Sequence, residues 1–430
     1  MYIYVQDKEG NPLMPCRKPG KVCHMLKDGR AVIVSYEPFT IRLTYEPEHK
    51  YVEKVILGVD TGSKYVGLSA ASDENEYFCA EAQIRSVEIK KLLDEKRGCR
   101  RQRRTSKLRY RKPRFMNRVS SKKPGWLPPS VTAKMTSHVQ LIKLVEKILP
   151  IAEIVIEKGK FDTHKLKNPD VSGSDYQHGK KEGFENSKAF VKYRDNYKCV
   201  CCKKKSAKNR KLEVHHILYI NDGGSDDPDN LVTLCHQCHE KIHKNKLKLP
   251  RKFNARSKTA KFLRDAAFMN AMSDKLVELV RAEFPHVTVK TTYGYITKTK
   301  REKMGLLKRH SNDALAITGN LSAKPYSRLV RIKRVRRHNR KIFNVRIFKK
   351  GVRKRNQSDV KFIGGFLRWD KVLIKETGVT GFITGRMKKE KHAVVCNMDG
   401  EKLHEKSTIA MWKIKLLKHA NGMLYEETNI

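Results

Sequence analysis

Acidic residues are scarce in this chain. Against 93 Lys and Arg stand only 45 Asp and Glu, so the 430 residues carry a formal net charge of +48. That imbalance is far beyond what solubility requires. It points to a polyanionic partner, held largely by phosphate neutralisation and weakened by salt. Long apolar runs are missing as well. No stretch approaches the length of a membrane span, and the opening MYIYVQDKEG lacks a basic-then-apolar secretory pattern, so the expected location is cytoplasmic with no membrane partner. Cysteine is thin over most of the sequence: Cys16, Cys23, Cys79, Cys99 and Cys396 are scattered, while the other five lie between Cys199 and Cys238. In a reducing compartment that clustering disfavours a disulfide framework and favours a metal site. No tandem repeat stands out. What is present suffices for folding: 39% hydrophobic residues exclude a wholly disordered basic tail, and the length allows several domains.

Residues 1 to about 54 begin with Pro and Gly punctuation, then predict a short amphipathic helix through Val22, Met25 and Leu26 and a strand over Ala31–Tyr36. KVILGVDTGSKYVGLSAAS reads as strand, Thr-Gly-Ser turn and strand, with a third strand at Glu76–Ala82. The text then changes to RGCRRQRRTSKLRYRKPRFMNR, in which eleven of 22 residues are Arg or Lys and none is acidic. Arg97, Arg100, Arg101, Arg104, Lys107 and Arg111 recur at helical spacing. A helix basic on most faces cannot enter an ordinary core. Folded-looking sequence on both sides makes a disordered tail the weaker alternative, so a helix threaded through nucleic acid is expected. Its candidate nucleic-acid contacts are Arg97, Arg100, Arg101, Arg103, Arg104, Lys107, Arg109, Arg111 and Arg114.

An amphipathic helix is predicted from Ser130 to Leu149, and AEIVIEKGKF as a buried strand ending at Glu157. Residues 168–187 are polar and rich in Gly, Asp and Ser, the composition of a linker. A long helix around Lys258 to Glu283, a strand in HVTVKTT and a helix starting in RHSNDALAITGNL with Ser and Asn near its cap follow. Beyond about residue 326, short strands with frequent Gly predict a small barrel or sandwich.

Chemistry concentrates in two patterns. Cys199 and Cys202 form one C-x-x-C knuckle, and Cys235 and Cys238 a second, about thirty residues apart. That is a strong tetrathiolate zinc signature. Four thiolates close the coordination shell, so this zinc is expected to be structural, with Cys201 left over. Between and after the knuckles stand His215, His216, Asn230, His239 and His243, more than a zinc ribbon with surface histidines requires. The second pattern is dispersed: Asp60 and Glu157 end apolar strands, and Asp313 lies at a helix start one turn after His310. Each acid alone is unremarkable, since strand ends are solvated and helix starts favour Asp.

The histidine pattern resembles the HNH nuclease motif, a ββα-metal fold. By that resemblance His216 is the general base, His215 and His239 hold a divalent ion, Asn230 orients the base, and His243 is a spare candidate. Many relatives carry Asp where this chain has His215. The order strand Asp, strand Glu, then H-x-x-D resembles a split RuvC, or RNase H-like, nuclease. There Asp60, Glu157 and Asp313 would hold two Mg²⁺ ions, with His310 activating water or standing behind the ligands.

Together with PLMP (Pro12 to Pro15), GVDTGS and IVIEKGKFD, the arrangement is similar to IscB, the transposon-associated RNA-guided DNA endonucleases related to CRISPR effectors of the RuvC-plus-HNH type. The resemblance runs nearly the full length and is least specific after residue 326. It implies an α/β multidomain protein with an RNase H-like RuvC core split in three, an arginine-rich bridge helix, an inserted zinc-bearing ββα-metal HNH domain and a β-rich C-terminal domain. The boundaries expected are 1–54 for the PLMP domain, 55–84, 124–167 and 251–325 for the RuvC parts and 85–123 for the bridge helix. They are 168–187 for the linker, 188–250 for the HNH domain and 326–430 for a domain touching a short DNA motif beside the target.

The implied cofactors are two Mg²⁺ in the RuvC site, one in the HNH site, structural Zn²⁺ and a guide RNA. The implied partners are a guide RNA with a large structured scaffold and double-stranded target DNA, bound by a monomeric protein in a bacterial, nucleoid-associated ribonucleoprotein. HNH would cut the guide-paired strand and RuvC the displaced one. Two other readings stay open: a guide-independent HNH endonuclease of homing or restriction kind, and a non-catalytic RNA- or DNA-binding scaffold.

Overall fold

The computed structural model describes residues 2–105, 125–160, 183–207, 211–219, 222, 224–253, 264–336, 362–363, 365–387, 391–404 and 408–429. The chain divides into two compact units, one of residues 1–159 with 271–430, the other of residues 160–270.

The first unit begins with strands β1 (Ile3–Gln6) and β2 (Pro12–Cys16), helix α1 (Pro19–Lys27), and strands β3 (Ala31–Tyr36) and β4 (Phe39–Leu43). They form a sheet of order β2-β1-β4-β3. Val22 and Met25 of α1 seal it by packing with Ile3, Ile41 and Leu43, the face predicted for that helix.

The main sheet starts with β5 (Val55–Asp60), β6 (Tyr65–Ala71) and β7 (Glu76–Gln83), an antiparallel meander. Helix α2 (Ser86–Thr105) and helix α3 (Pro129–Glu146) follow, then β8 (Ile151–Lys158), which joins β5 in parallel. Every residue of β5 is buried. An unbroken apolar run is what a strand covered on both faces requires.

The second unit contributes helix α4 (Ser187–Arg194), strand β9 (Leu212–His216), a 3₁₀ turn (Pro228–Asn230), strand β10 (Leu231–Cys235) and helix α5 (His236–His243). Helix α6 (Arg264–Glu283) spans the division, with residues 264–270 counted in the second unit and 271–283 in the first. There β11 (Thr288–Tyr293), α7 (Gly294–Lys303), α8 (His310–Thr318) and β12 (Arg328–Arg334) complete the central fold. The remaining strands are β13 (Phe362–Ile363), β14 (Phe366–Leu367), β15 (Lys371–Ile374), β16 (Thr380–Met387), β17 (His392–Cys396), β18 (Ile409–Ala410), β19 (Ile414–Lys418) and β20 (Met423–Asn429).

The main sheet has the order β11-β8-β5-β6-β7-β12-β20. Its last two strands lie beyond the expected boundary at residues 325 and 326, so that boundary cuts through this sheet. β12 runs parallel to β7, and β20 pairs with β12 antiparallel, reinforced by Arg331 on Glu426 at 3.0 Å. Where a small barrel or sandwich was expected, five of the late strands among the described residues form one sheet, β18-β17-β16-β15-β19, around Val372, Ile374, Ile383 and Ile414. The stretch IFNVRIF, the start of the α6 region at Lys258 and most of the expected linker lie outside the described residues.

Helix α8 lies on β5 and β6. It gets close because glycine faces it: a Cβ on Gly58 would come within 2.0 Å of the Ala314 carbonyl oxygen, and one on Gly67 within 1.9 Å of that of His310. Any side chain there would lift the helix off the sheet, and with it His310 and Asp313. The cap differs from expectation. Arg309 occupies the N-cap without a side-chain bond, and the Ser311 backbone N–H donates instead to Glu81 of β7 at 3.1 Å. A carboxylate from the sheet thus does what a local Ser or Asn was expected to do.

Candidate active sites and metal centres

In the second unit, Asn186 caps α4 by accepting the Ala189 N–H at 3.0 Å. At the other end of that helix, Arg194 donates to the carbonyls of Pro228 and Leu231, both at 2.7 Å, and Asp195 accepts the Thr233 N–H at 2.8 Å. These bonds fasten the hairpin of β9 and β10. Cys199, Cys202, Cys235 and Cys238 come together with their sulfurs all within 4.8 Å of one another. The Cys202 and Cys235 sulfurs are 3.8 Å apart. Tetrahedral zinc with Zn–S bonds of about 2.3 Å sets ligand sulfurs roughly 3.8 Å apart, so the donor set fits zinc. Cys201 packs beside the knot, and burial pushes its thiol up to about 11.

Strand alternation sorts the two adjacent histidines to opposite faces of β9. His215 is buried and faces α5, where His239 and His243 lie one turn apart. The ring nitrogens of His215, His239 and His243 all lie within 4.8 Å of one another. Burial, together with the neighbouring rings of His239, His243 and His216, pushes His215 down to about 4. A neutral imidazole is the form a metal ligand needs. Three converging imidazoles therefore fit a divalent transition-metal ion, with His243 a full member of the set.

His216, on the other face, has Nε2 2.8 Å from Asp226 Oδ1. Asn230 is fully buried and does not bond the His216 ring. Its Oδ1 accepts the Leu218 N–H at 2.8 Å, and its Nδ2 donates to the carbonyls of Leu218 and Ser225 at 2.9 and 2.8 Å. Asn230 therefore ties down the loop after β9, and the carboxylate on the His216 ring is that of Asp226. Glu213, two residues before His215 and hence on its face, contacts His239 Nδ1 at 2.5 Å and His236 Nδ1 at 3.0 Å. Period-2 spacing was the signal for Glu213; Asp226 sits in a loop and gave none.

In the first unit, the parallel register of Val59 with Ile156 carries Asp60 and Glu157 to the same end of neighbouring strands. The Thr61 hydroxyl donates to the Glu157 carbonyl at 2.7 Å and ties these ends together. His310 Nδ1 reaches Asp60 Oδ2 at 2.6 Å, and Tyr65 stacks on the His310 ring with centroids 5.8 Å apart. Asp313 accepts from Arg301 Nη1 at 2.7 Å. Burial raises Asp60 despite the His310 hydrogen bond, and raises Glu157 with help from the Asp60 and Asp313 charges. The Asp60 hydrogen bond in turn raises His310.

Acids crowded together and desolvated are the setting a hard divalent cation relieves. Asp60 and Glu157, at the same end of neighbouring strands, could hold one. Asp313 is engaged by Arg301, and the three carboxylates are not gathered within 4.8 Å as the cysteines and histidines are. Of the expected nucleic-acid contacts, Arg97, Arg100, Arg101, Arg103 and Arg104 lie on α2. Lys107, Arg109, Arg111 and Arg114 fall outside the described residues.

Two family models match the chain: "RRXRR protein" over residues 3–179 and "HNH endonuclease" over residues 199–245. Among curated proteins it is similar to Anaredoxin of Nostoc sp. (strain PCC 7120), 39% identical over 71 residues, which are 16% of this chain and 90% of that protein. It is also similar to the Type IV methyl-directed restriction enzyme EcoKMcrA of Escherichia coli (strain K12), 47% identical over 38 residues, 9% of this chain and 14% of that enzyme. Among solved structures, Streptococcus thermophilus Cas9 in complex with the AGAA PAM aligns with a TM-score of 0.34 and 15% identity, over 51% of this chain and 30% of that one. The Type II-C Cas9 from Actinomyces naeslundii aligns with a TM-score of 0.17 and 14% identity, over 46% and 29%.

The cysteine-knotted hairpin and helix, residues 199–245, match the HNH endonuclease family model, which marks this part of the chain as an HNH domain. More particularly, the protein joins that domain to an RRXRR segment in a single chain.

Proposed function

We propose that the protein is an RNA-guided DNA endonuclease of the IscB kind, with the HNH site cutting the guide-paired strand and the sheet-end site the displaced strand. The observation that carries this reading is the presence, in one strongly basic chain, of two separate constellations suited to phosphodiester hydrolysis. One is the histidine cluster on the HNH hairpin. The other is the Asp60, Glu157, Asp313 and His310 set on an interrupted sheet that resembles a RuvC core.

In the HNH site, Asp226 accepts from His216 Nε2–H, which leaves Nδ1 as the basic nitrogen for a water proton. His215, His239 and His243 would hold the cation, with Glu213 orienting His239 from behind. A bound divalent cation would neutralise charge developing on the scissile phosphate and the leaving oxygen. At the sheet end, Asp60 and Glu157 present oxygens and His310 can carry a proton to or from Asp60. Asp313 joins them when its Arg301 bond opens. The α2 arginines grip phosphates while base pairing in the guide supplies sequence choice.

Purification tests this directly. A discrete structured RNA should accompany the protein and be required for cleavage of a matching duplex with divalent cation. His216→Ala should then abolish only the cut in the guide-paired strand, and Asp60→Ala only the other. Cleavage by RNA-free protein would favour the guide-independent reading, and loss of both cuts from either substitution in a folded protein would refute the division of labour.

A further inference from the structure

Where α2 leaves the main sheet, it meets α3 and the end of β12 around a surface cavity of about 580 Å³. Two guanidinium groups line it. Arg334 has its Nη1 buried with no partner among the described residues. Arg85 stands close enough to repel it and has Glu88 as its own partner at 2.6 Å. Burial and this repulsion lower Arg334 from its ordinary value. A buried donor left unpaired, next to a like charge, is costly unless an anion completes it. The rest of the wall is of another kind: Ile89 and Val335 are apolar, while Thr136 and Gln140 present a hydroxyl and an amide from α3.

We propose that this cavity takes one unpaired nucleotide of a nucleic-acid strand, its phosphate between Arg85 and Arg334 and its base against the apolar and amide-bearing wall. The volume lies within the range of pockets that enclose small ligands. A bidentate guanidinium matches a phosphate, and Thr136 and Gln140 can meet a base edge. The pocket sits at the root of the helix whose later turns carry Arg97, Arg100, Arg101, Arg103 and Arg104, so a strand following those charges passes its mouth. The assignment rests only on the nucleic-acid-binding part of the proposed function. It adds a point at which one nucleotide leaves the stack and fixes the register of the strand.

The test uses the full chain freed of co-purifying nucleic acid and two RNA hairpins that differ by a single bulged nucleotide. Affinity is measured by fluorescence anisotropy at moderate salt. Wild type should prefer the bulged hairpin by about tenfold, the scale of a charge-assisted bond. Thr136→Trp fills the cavity from an exposed position without altering charge, and it should erase that preference while leaving affinity for the plain hairpin unchanged. Arg334→Met should erase the preference too, while lowering affinity for both hairpins through its lost charge, and Arg334→Lys should restore part of the preference. If Arg334→Met fails to fold, Thr136→Trp still decides.

The same pair of hairpins in DNA identifies the sugar. An equal preference there assigns the pocket to either strand type, and its absence assigns it to RNA. No preference in wild type, or one that Thr136→Trp leaves intact, overturns the proposal. Neither guide-directed cleavage nor a metal enters these measurements, so their failure is separable from failure of the proposed function.

Discussion

His310 and Asp60 stand 250 residues apart in sequence and 2.6 Å apart in space. Their proximity is made by two glycines under α8 and by the position of Asp60 at the last residue of β5. The two groups shift together: burial raises the acid, and the acid's hydrogen bond raises the imidazole. Asp60→Asn removes the negative charge and keeps an acceptor oxygen. The His310 ring, followed by NMR, should then titrate at lower pH than in wild type. Because its folded value is raised, the stability this pair gives is present below the ordinary histidine range and is lost as pH rises through the raised value. An unmoved His310 titration in Asp60→Asn would show that the Asp60 charge is not what holds the proton.

His216, the base proposed for the HNH site, has its own partner in Asp226. His216→Ala should slow cleavage of its strand by roughly 10²–10⁴-fold, the usual worth of a positioned general base. Asp226→Ala should cost less, on the order of tenfold, since it releases the tautomer without removing the base. Strand-resolved single-turnover kinetics checks this. Equal losses from the two substitutions would give Asp226 a larger part than orienting His216.

The two sites differ in donor chemistry, and metal preference should follow. Three imidazoles suit Zn²⁺, Ni²⁺ or Co²⁺ better than Mg²⁺, whereas carboxylates suit Mg²⁺. The Mg²⁺ expected in the HNH site from resemblance alone does not match its nitrogen donors. Titration calorimetry on the zinc-loaded chain should show Ni²⁺ or Co²⁺ binding that His243→Ala weakens by about tenfold or more. In Mg²⁺ alone the displaced-strand cut should dominate, and added Co²⁺ should raise the other. Co²⁺ affinity unchanged by His243→Ala would remove that residue from the ligand set.

Cys199→Ser opens the four-cysteine cluster and should unfold the 187–253 region, because a zinc ion held there would join the Cys199–Cys202 turn to the hairpin and α5. Hydrogen exchange should rise in β9, β10 and α5 while β5–β8 stay protected. Cys201→Ser, one residue from a ligand and outside the set, should leave zinc content at wild-type level. Retained protection in β9 and β10 of the Cys199→Ser protein would mean that packing around Val232 and Leu234 suffices without metal.

Local pattern carried much of this architecture. The runs at Val55–Asp60 and Ile151–Lys158 announced themselves as buried strands, and the cysteine spacing announced the knot. Long-range pairing was not legible. RLVRIKR reads as one more basic stretch, and only its β20 partner, some ninety-five residues on, supplies the glutamates that make it an inner strand of the main sheet. The roles of Asn230 and Asp226 were hidden for a related reason: a motif records which residue types recur, and which hydrogen bonds they make depends on loop geometry. Arg301 went unseen because its meeting with Asp313 depends on how α7 turns back onto α8.

Glu76 gives the clearest pH test. Burial between β6 and β7 pushes its carboxyl up to about 7, although Ser69 and the Tyr326 N–H both donate to it. The folded chain therefore holds this proton more tightly than the unfolded chain. Stability should fall as pH rises from the unfolded value of 4.5 through about 7 and then level off. A shift of that size corresponds to roughly 3 kcal/mol. Glu76→Gln reproduces the neutral acid, with an oxygen for the Tyr326 N–H and an amide for the Ser69 hydroxyl. It should match wild type near pH 4.5 and be the more stable of the two at pH 8. Urea unfolding of both proteins across that range measures the difference directly. Parallel curves for the two would mean that Glu76 ionises in the folded protein as readily as in the unfolded chain.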